Sequence, residues 1–184
     1  MSALDLVVRQ GKALYAGISN YPADRAQEAI AILNDLGTPC LIHQARYSMM
    51  DRWVEDGLLD VLDKTGTGLI AFSPLEQGML TPRYLDGIPE GSRAAKSMTY
   101  LEKEFVEKRI QHLNKLNEIA KDRGQSLSQM AIAWLLKDTR VTSVLLGASS
   151  SKQLLENLQS LENTEFSGDE LQQIDAVLAE IKTL

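Results

Sequence analysis

The residues able to do chemistry in this chain fall into four short polar stretches, each directly after an apolar run. They are Ser19-Asn20, His43-Gln44, Ser73-Pro74-Leu75-Glu76-Gln77-Gly78 and Gly147-Ala148-Ser149. Serine, asparagine and glutamine carry uncharged donors and acceptors, so this set suits hydrogen bonding to a neutral polar group such as an amide. Ser149 stands where a helix should begin, and free N–H groups together with the helix dipole favour an anion there. Taken singly these signals are weak, because a Ser-Asn pair after a strand is ordinary turn chemistry. Acid–base machinery is harder to find. His43 directly precedes Gln44, and strand alternation points the two to opposite sides, which makes His43 structural. His112 falls in a charged helix and is expected to face solvent. Tyr47 could line a substrate pocket, but the sequence places no lysine to activate it. Cys40 adjoins the apolar run Cys40-Leu41-Ile42 and reads as a small hydrophobe. No pair of acids has His or Cys at metal-ligand spacing, so no metal is expected.

The elements that must position these stretches alternate between strand and helix. An amphipathic helix over 2–10, with Leu4, Val7 and Val8 on one side, is stopped by Gly11. Strands are expected at 13–18, 41–44, 69–72 and 143–146. Helices are expected at about 24–36 with Asp24 as N-cap, 56–64, 101–123, 126–137, 150–160 and 167–181. Ser126 with Gln129, and Ser167 with Glu170, have capping-box spacing. On the 150–160 helix, Leu154, Leu155, Leu158 and Leu161 are expected to face the core. A long polar loop runs from Glu76 to about Thr99, and loops of that length are usually functional or disordered.

Strands that are apolar throughout and alternate with helices imply a parallel sheet covered by helices. No glycine-rich turn follows the first strand, which argues against an open dinucleotide-binding sheet. Four βα units instead suggest half of an eight-unit βα barrel, in a single domain over 1–184. The length of 184 residues supports this, since complete barrels run to about 250. A half-barrel has two unpaired edges, so pairing with a second copy or with an N-terminal half is expected.

Composition bounds the rest. Apolar content of 44% and charged content of 24% are those of a globular protein. A net charge of −6 argues against nucleic-acid binding, which needs a basic face. With Cys40 the single cysteine, no internal disulfide can form. There is no apolar stretch of membrane-span length and no basic-then-apolar leader at the N-terminus, so a cytoplasmic location and no membrane partner are expected.

The polar stretches, taken in order, resemble the aldo-keto reductase superfamily. The resemblance rests on Gly17-Ile18-Ser19-Asn20-Tyr21, then Gln44, then Phe72-Ser73-Pro74-Leu75 with Gly78-Met79-Leu80-Thr81, and finally Val144-Leu145-Leu146-Gly147-Ala148-Ser149 with Gln153, Glu156 and Asn157. It covers essentially the whole chain and is nearest to bacterial reductases similar to voltage-gated potassium-channel beta subunits. It implies the C-terminal half of a TIM barrel that binds NADP(H). Ser19, Asn20 and Gln44 would hold the nicotinamide amide, and Phe72 would stack on the ring, where the family more often has Tyr or Trp. Ser73, Pro74, Leu75 and Gln77 would wrap the pyrophosphate, with Arg83 and Arg93 as basic contacts. Gly147, Ser149, Gln153, Glu156 and Asn157 would form the adenosine 2′-phosphate and adenine site, with Lys152 adding charge.

The family's proton-donating tyrosine, its lysine and aspartate, and the histidine that places the carbonyl match nothing here. The expectation is therefore part of an enzyme acting on a small carbonyl substrate, inactive alone. Two alternatives stay open: a non-catalytic NADP(H)-binding protein and a self-assembling half-barrel.

Overall fold

In a computed structural model describing residues 1–90, 92, 94, 95 and 102–183, helices α1 (Ser2–Arg9), α2 (Ala23–Asp35) and α3 (Leu58–Thr65) alternate with strands β1 (Ala16–Ser19), β2 (Cys40–Arg46) and β3 (Gly68–Phe72). After the long loop come α4 (Lys103–Glu107), α5 (Ile110–Asp122), α6 (Leu127–Leu136), β4 (Val141–Val144), α7 (Ser151–Leu158) and α8 (Gly168–Lys182). The strands form one parallel sheet in the order β1-β2-β3-β4. Crossovers of one hand in a sheet of sequential order return on the same side each time. The helices accordingly cover one face, where Ile18, His43, Ala45, Leu69 and Ala71 are buried.

Among the described residues the other face is left uncovered. β1 alternates buried and exposed residues, and β3 alternates half-buried and buried ones, as one covered face and one open inner face of a half-barrel require. Apolar sequence specified a barrel strand, but the residues that would fill the barrel from across its axis are not among these four strands. The uncovered face still has a packed layer. A side chain on Gly17 or Gly68 would lie 2.9 Å from the Ile42 side chain, so the two glycines flank that isoleucine where the strands approach.

Local signals predicted local structure well. The capping boxes at Ser126–Gln129 and Ser167–Glu170 are both formed. Four expectations need correction. α2 starts at Ala23 behind Pro22, rather than being capped by Asp24. The 101–123 helix is broken between α4 and α5, where the Arg109 guanidinium lies 3.6 Å over the Phe105 ring and donates to the Phe105 carbonyl at 3.0 Å. His112 is tucked between α5 and α8, 13% exposed, with Nε2 3.3 Å from Glu180. The leucines of α7 and the turn after it do not face the core, being 40% (Leu154), 64% (Leu155), 45% (Leu158) and 61% (Leu161) exposed. Helical periodicity reports that a face is apolar and not which neighbour covers it, and α7 packs against α6 with these leucines left outward.

Longer-range polar contacts tie the helices down. Buried Asp5 on α1 pairs with Arg9 and accepts from Thr38 Oγ1 at 2.8 Å. Arg123, 2% exposed, donates to Glu170 and to the carbonyls of Asn163 and Glu165, and lies 3.6 Å over Phe166. Among the described residues no helix is long and apolar enough to cross a membrane.

Candidate functional site at the strand ends

On the uncovered face, period-two alternation lines up Ser19 on β1, Gln44 and Arg46 on β2, and Phe72 on β3. The register pairs Ser19 with Gln44 and Arg46 with Phe72. Ser19 and Asn20 are exposed, while Gln44 and Phe72 are half-buried. Asn20 turns the chain at φ 54°, its N–H donates to the Gln44 carbonyl at 3.0 Å, and its Oδ1 accepts the Arg46 N–H at 3.1 Å. Its side-chain carbonyl thus stitches β1 to β2, which is the capping role ordinary for this residue type.

The loop after β3 is the most contorted segment. Ser73, Glu76 and Gln77 have φ of 56°, 44° and 56°. With Asn20 they are all the non-glycine residues at positive φ among those described, and every one lies just beyond a strand's C-terminal end. Backbone held in such conformations gathers at binding and catalytic sites. The turn closes with Glu76 N–H on the Ser73 carbonyl (3.0 Å), Gly78 N–H on the Leu75 carbonyl (2.8 Å) and Met79 N–H on the Glu76 carbonyl (3.0 Å). Pro74 is buried and Leu75 half-buried, so both shape the loop from beneath. The Glu76 carboxylate turns back toward β2, pairing with Arg46 and accepting from Ser48 Oγ at 2.8 Å.

A second cluster forms where β4 leads into α7. The Leu145 N–H still bonds to the Ala71 carbonyl at 2.8 Å, so this loop leaves the sheet beside β3. Gln153 Oε1 accepts from both the Ser149 N–H (2.9 Å) and its hydroxyl (3.0 Å), and Ser150 caps the helix by accepting the Gln153 N–H. Gly147 is exposed with open space around it. Glu156 lies 3.8 Å from Lys152, both exposed. Asn157 is 4% exposed, and its buried Nδ2 donates to nothing. An unmet buried donor costs on the order of 1–3 kcal/mol, so it marks a place where an acceptor is called for.

Of the sequence-predicted set, the structure brings Ser19, Asn20, Gln44, Phe72 and the 73–77 loop together, and Ser149 with Gln153. Arg83 stands apart, exposed on a short turn (Pro82–Tyr84) capped by Thr81. Arg93 lies outside the described residues. Sequence reading missed Arg46 and, while counting Glu76 within a polar stretch, gave it no role. Alternation could have found the first, since Arg46 is two residues past Gln44 on the same face.

The candidates for acid–base work sit elsewhere. His43 is sealed on the helix side, where Nε2 accepts the Tyr21 N–H at 3.2 Å, and burial pushes its pKa below the ordinary histidine value. Tyr47 is corrected from pocket wall to core. It is 1% exposed, meets the Trp134 ring edge-on at 5.8 Å and donates to Glu55 at 2.7 Å. Burial and the Glu55 carboxylate push its pKa far up, so the phenol keeps its proton. Among the described residues no group of three His, Cys, Asp or Glu could hold a metal. A groove of 670 Å³ runs beside Met50, Arg52, Asp175 and Lys182, and another of 370 Å³ beside Tyr21, Arg25 and Ile32. Neither includes a residue of the strand-end set.

Comparison with known proteins now decides the ancestry of this arrangement. The model of the Aldo/keto reductase family matches residues 1–179. This chain belongs to that family. Two L-glyceraldehyde 3-phosphate reductases, from two strains of Escherichia coli, are each 50% identical over 97% of the chain and 53% of their own length. A crystal structure of a thermostable aldo-keto reductase in complex with the inhibitor epalrestat superposes with a TM-score of 0.67 at 30% identity, over 96% of this chain and 53% of that one. The chain therefore spans about half the length of the relatives it matches. Its four parallel strands and their helices correspond to about half of an aldo-keto reductase TIM barrel.

Proposed function

We propose that this chain supplies the NADP(H)-binding side of a reductase that converts aldehydes or ketones to alcohols. The observation that carries the reading is the convergence of neutral donors and acceptors, an aromatic ring and a positive-φ loop at the ends of β1, β2 and β3, with a buried unmet amide donor at Asn157 beyond β4. These residues fit a dinucleotide. Ser19, Asn20 and Gln44 would bind the nicotinamide amide and Phe72 would stack on its ring, fixing which side faces substrate. The backbone of Ser73–Gln77 would follow the pyrophosphate, and the family resemblance gives Arg83 and Arg93 as its basic contacts. Gly147, Ser149, Gln153, Glu156 and Asn157 would receive the 2′-phosphate and adenine, which favours NADP(H) over NAD(H). The cofactor supplies the hydride when bound.

The chain's own part in this reading is to bind and orient. Proton donation is assigned outside these residues, because His43 and Tyr47 both lie behind the sheet. Purified chain should therefore bind NADPH, followed by fluorescence, without oxidising it in the presence of an aldehyde panel. Robust NADPH oxidation with no added polypeptide would contradict the division of labour, and absence of binding would contradict the cofactor role.

A second reading concerns assembly. The two edge strands, the bare inner face and the exposed α7 leucines favour closure against another half-barrel, either a second copy or an N-terminal half. Sedimentation tests it, and a stable, well-folded monomer would contradict it.

A further inference from the structure

Glu76 poses a problem for the phosphate loop. It is a carboxylate at the centre of the Ser73–Gln77 segment, where a pyrophosphate would pass, and like charges at close range repel. The structure disposes of it in a particular way. Glu76 is 8% exposed, held at φ 44°, and turned away from the loop's open side into a pocket at the end of β2. There Ser48 Oγ donates to it at 2.8 Å and the Arg46 guanidinium pairs with it. Arg46 is itself fixed. Its Nε lies 3.0 Å from Asp51, its N–H is held by Asn20, and its carbonyl accepts from Trp53 Nε1 at 2.7 Å.

We propose that Arg46 and Glu76 form a positioning latch that fastens the β3 loop to β2 and neutralises the loop's carboxylate, so that the loop can accept an anion. This rests on the cofactor reading above and names how its phosphate segment is held. Neither residue touches the cofactor in this scheme. Arg46 acts through Glu76, and Glu76 acts through the backbone conformation of residues 73–78.

The latch predicts an asymmetry that a plain structural contact would not give. Arg46→Met leaves a carboxylate without its counter-ion beside the phosphate path and should weaken NADPH binding about tenfold or more. Glu76→Gln keeps one oxygen to accept from Arg46, removes the charge and should change affinity by less than about threefold. The double variant Arg46→Met/Glu76→Gln should bind better than Arg46→Met alone, because the offending charge is gone. Equal affinity of Arg46→Met and the unaltered chain, or no recovery in the double variant, would overturn the proposal. Hydrogen exchange read without cofactor keeps the test independent of the cofactor reading. The Gly78, Met79 and Leu80 amides should exchange faster in Arg46→Met while those of α2 and α6 stay unchanged. If the unaltered chain binds no NADPH, the cofactor reading fails and with it the charge-neutralising half of the latch, while the fastening is still decided by exchange. Unchanged exchange at these three amides would overturn the latch by itself.

Discussion

Along β2 the two sides of the sheet can be compared residue by residue. His43 and Ala45 point to the helices and are fully buried, while Gln44 and Arg46 alternate with them and face the uncovered side. Behind the sheet, polar groups are drawn into structural service: Tyr47 bonds to Glu55, and Trp134 has Arg52 at 4.9 Å and Lys137 at 3.8 Å over its ring. In front, polar groups keep access, and the backbone takes conformations that most residues avoid. Substitutions on the two sides should therefore fail differently, in folding behind the sheet and in binding before it.

The largest stability effect should come from behind. Trp134→Ala empties a fully enclosed ring site and removes the support of two cations, and should cost about 3–5 kcal/mol in urea unfolding. A loss below that of an ordinary surface change would break the comparison. Arg123→Ala should cost about 1.5–3 kcal/mol, because Glu170 and two backbone carbonyls lose a charged donor. Its loss should free α8 first, visible as faster exchange there than in α2.

Acidity gives a smaller and more selective effect. Burial holds the folded-state pKa of His43 below its ordinary value, so the unfolded chain takes up the proton first. Stability from this group is fully present above the unfolded value of about 6.5 and is lost as pH falls through it toward the lower folded value. The unfolding midpoint should drop from neutral pH toward mildly acidic pH, and His43→Gln should flatten that slope. An unchanged slope would show that His43 is not the group responsible.

The smallest stability effect belongs to the front. Gln44→Ala should change unfolding by less than about 0.5 kcal/mol. The same substitution should weaken NADPH binding about tenfold through lost hydrogen bonds to the amide. If Gln44→Ala instead unfolds the chain, the two sides are not functionally separate.

Much of this was legible in the sequence because it is local. A capping box spans three residues, and strand alternation separates His43 from Gln44 with no knowledge of neighbours. Ser19, Gln44 and Phe72 could be placed on one surface because each lies at or near the end of a strand in a simple repeating unit. What escaped depends on tertiary partners. The α7 leucines look like core residues until the neighbour that would cover them is known. Tyr47 follows a site residue closely yet turns into the core because Trp134 waits there, 87 positions away by number. The Arg46–Glu76 pair joins the end of β2 to the loop after β3, 30 positions on, and no periodicity reports such a pairing.

The central claim is that the strand ends hold the dinucleotide, rather than the groove beside Arg52 and Asp175. Hydrogen exchange with and without saturating NADPH tests it most directly. The account predicts slowed exchange at 19–20, 44–46, 73–79 and 147–153, with the rest of the chain little changed. Protection confined to the groove between Met50–Asp56 and α8, or no protection anywhere, would contradict it.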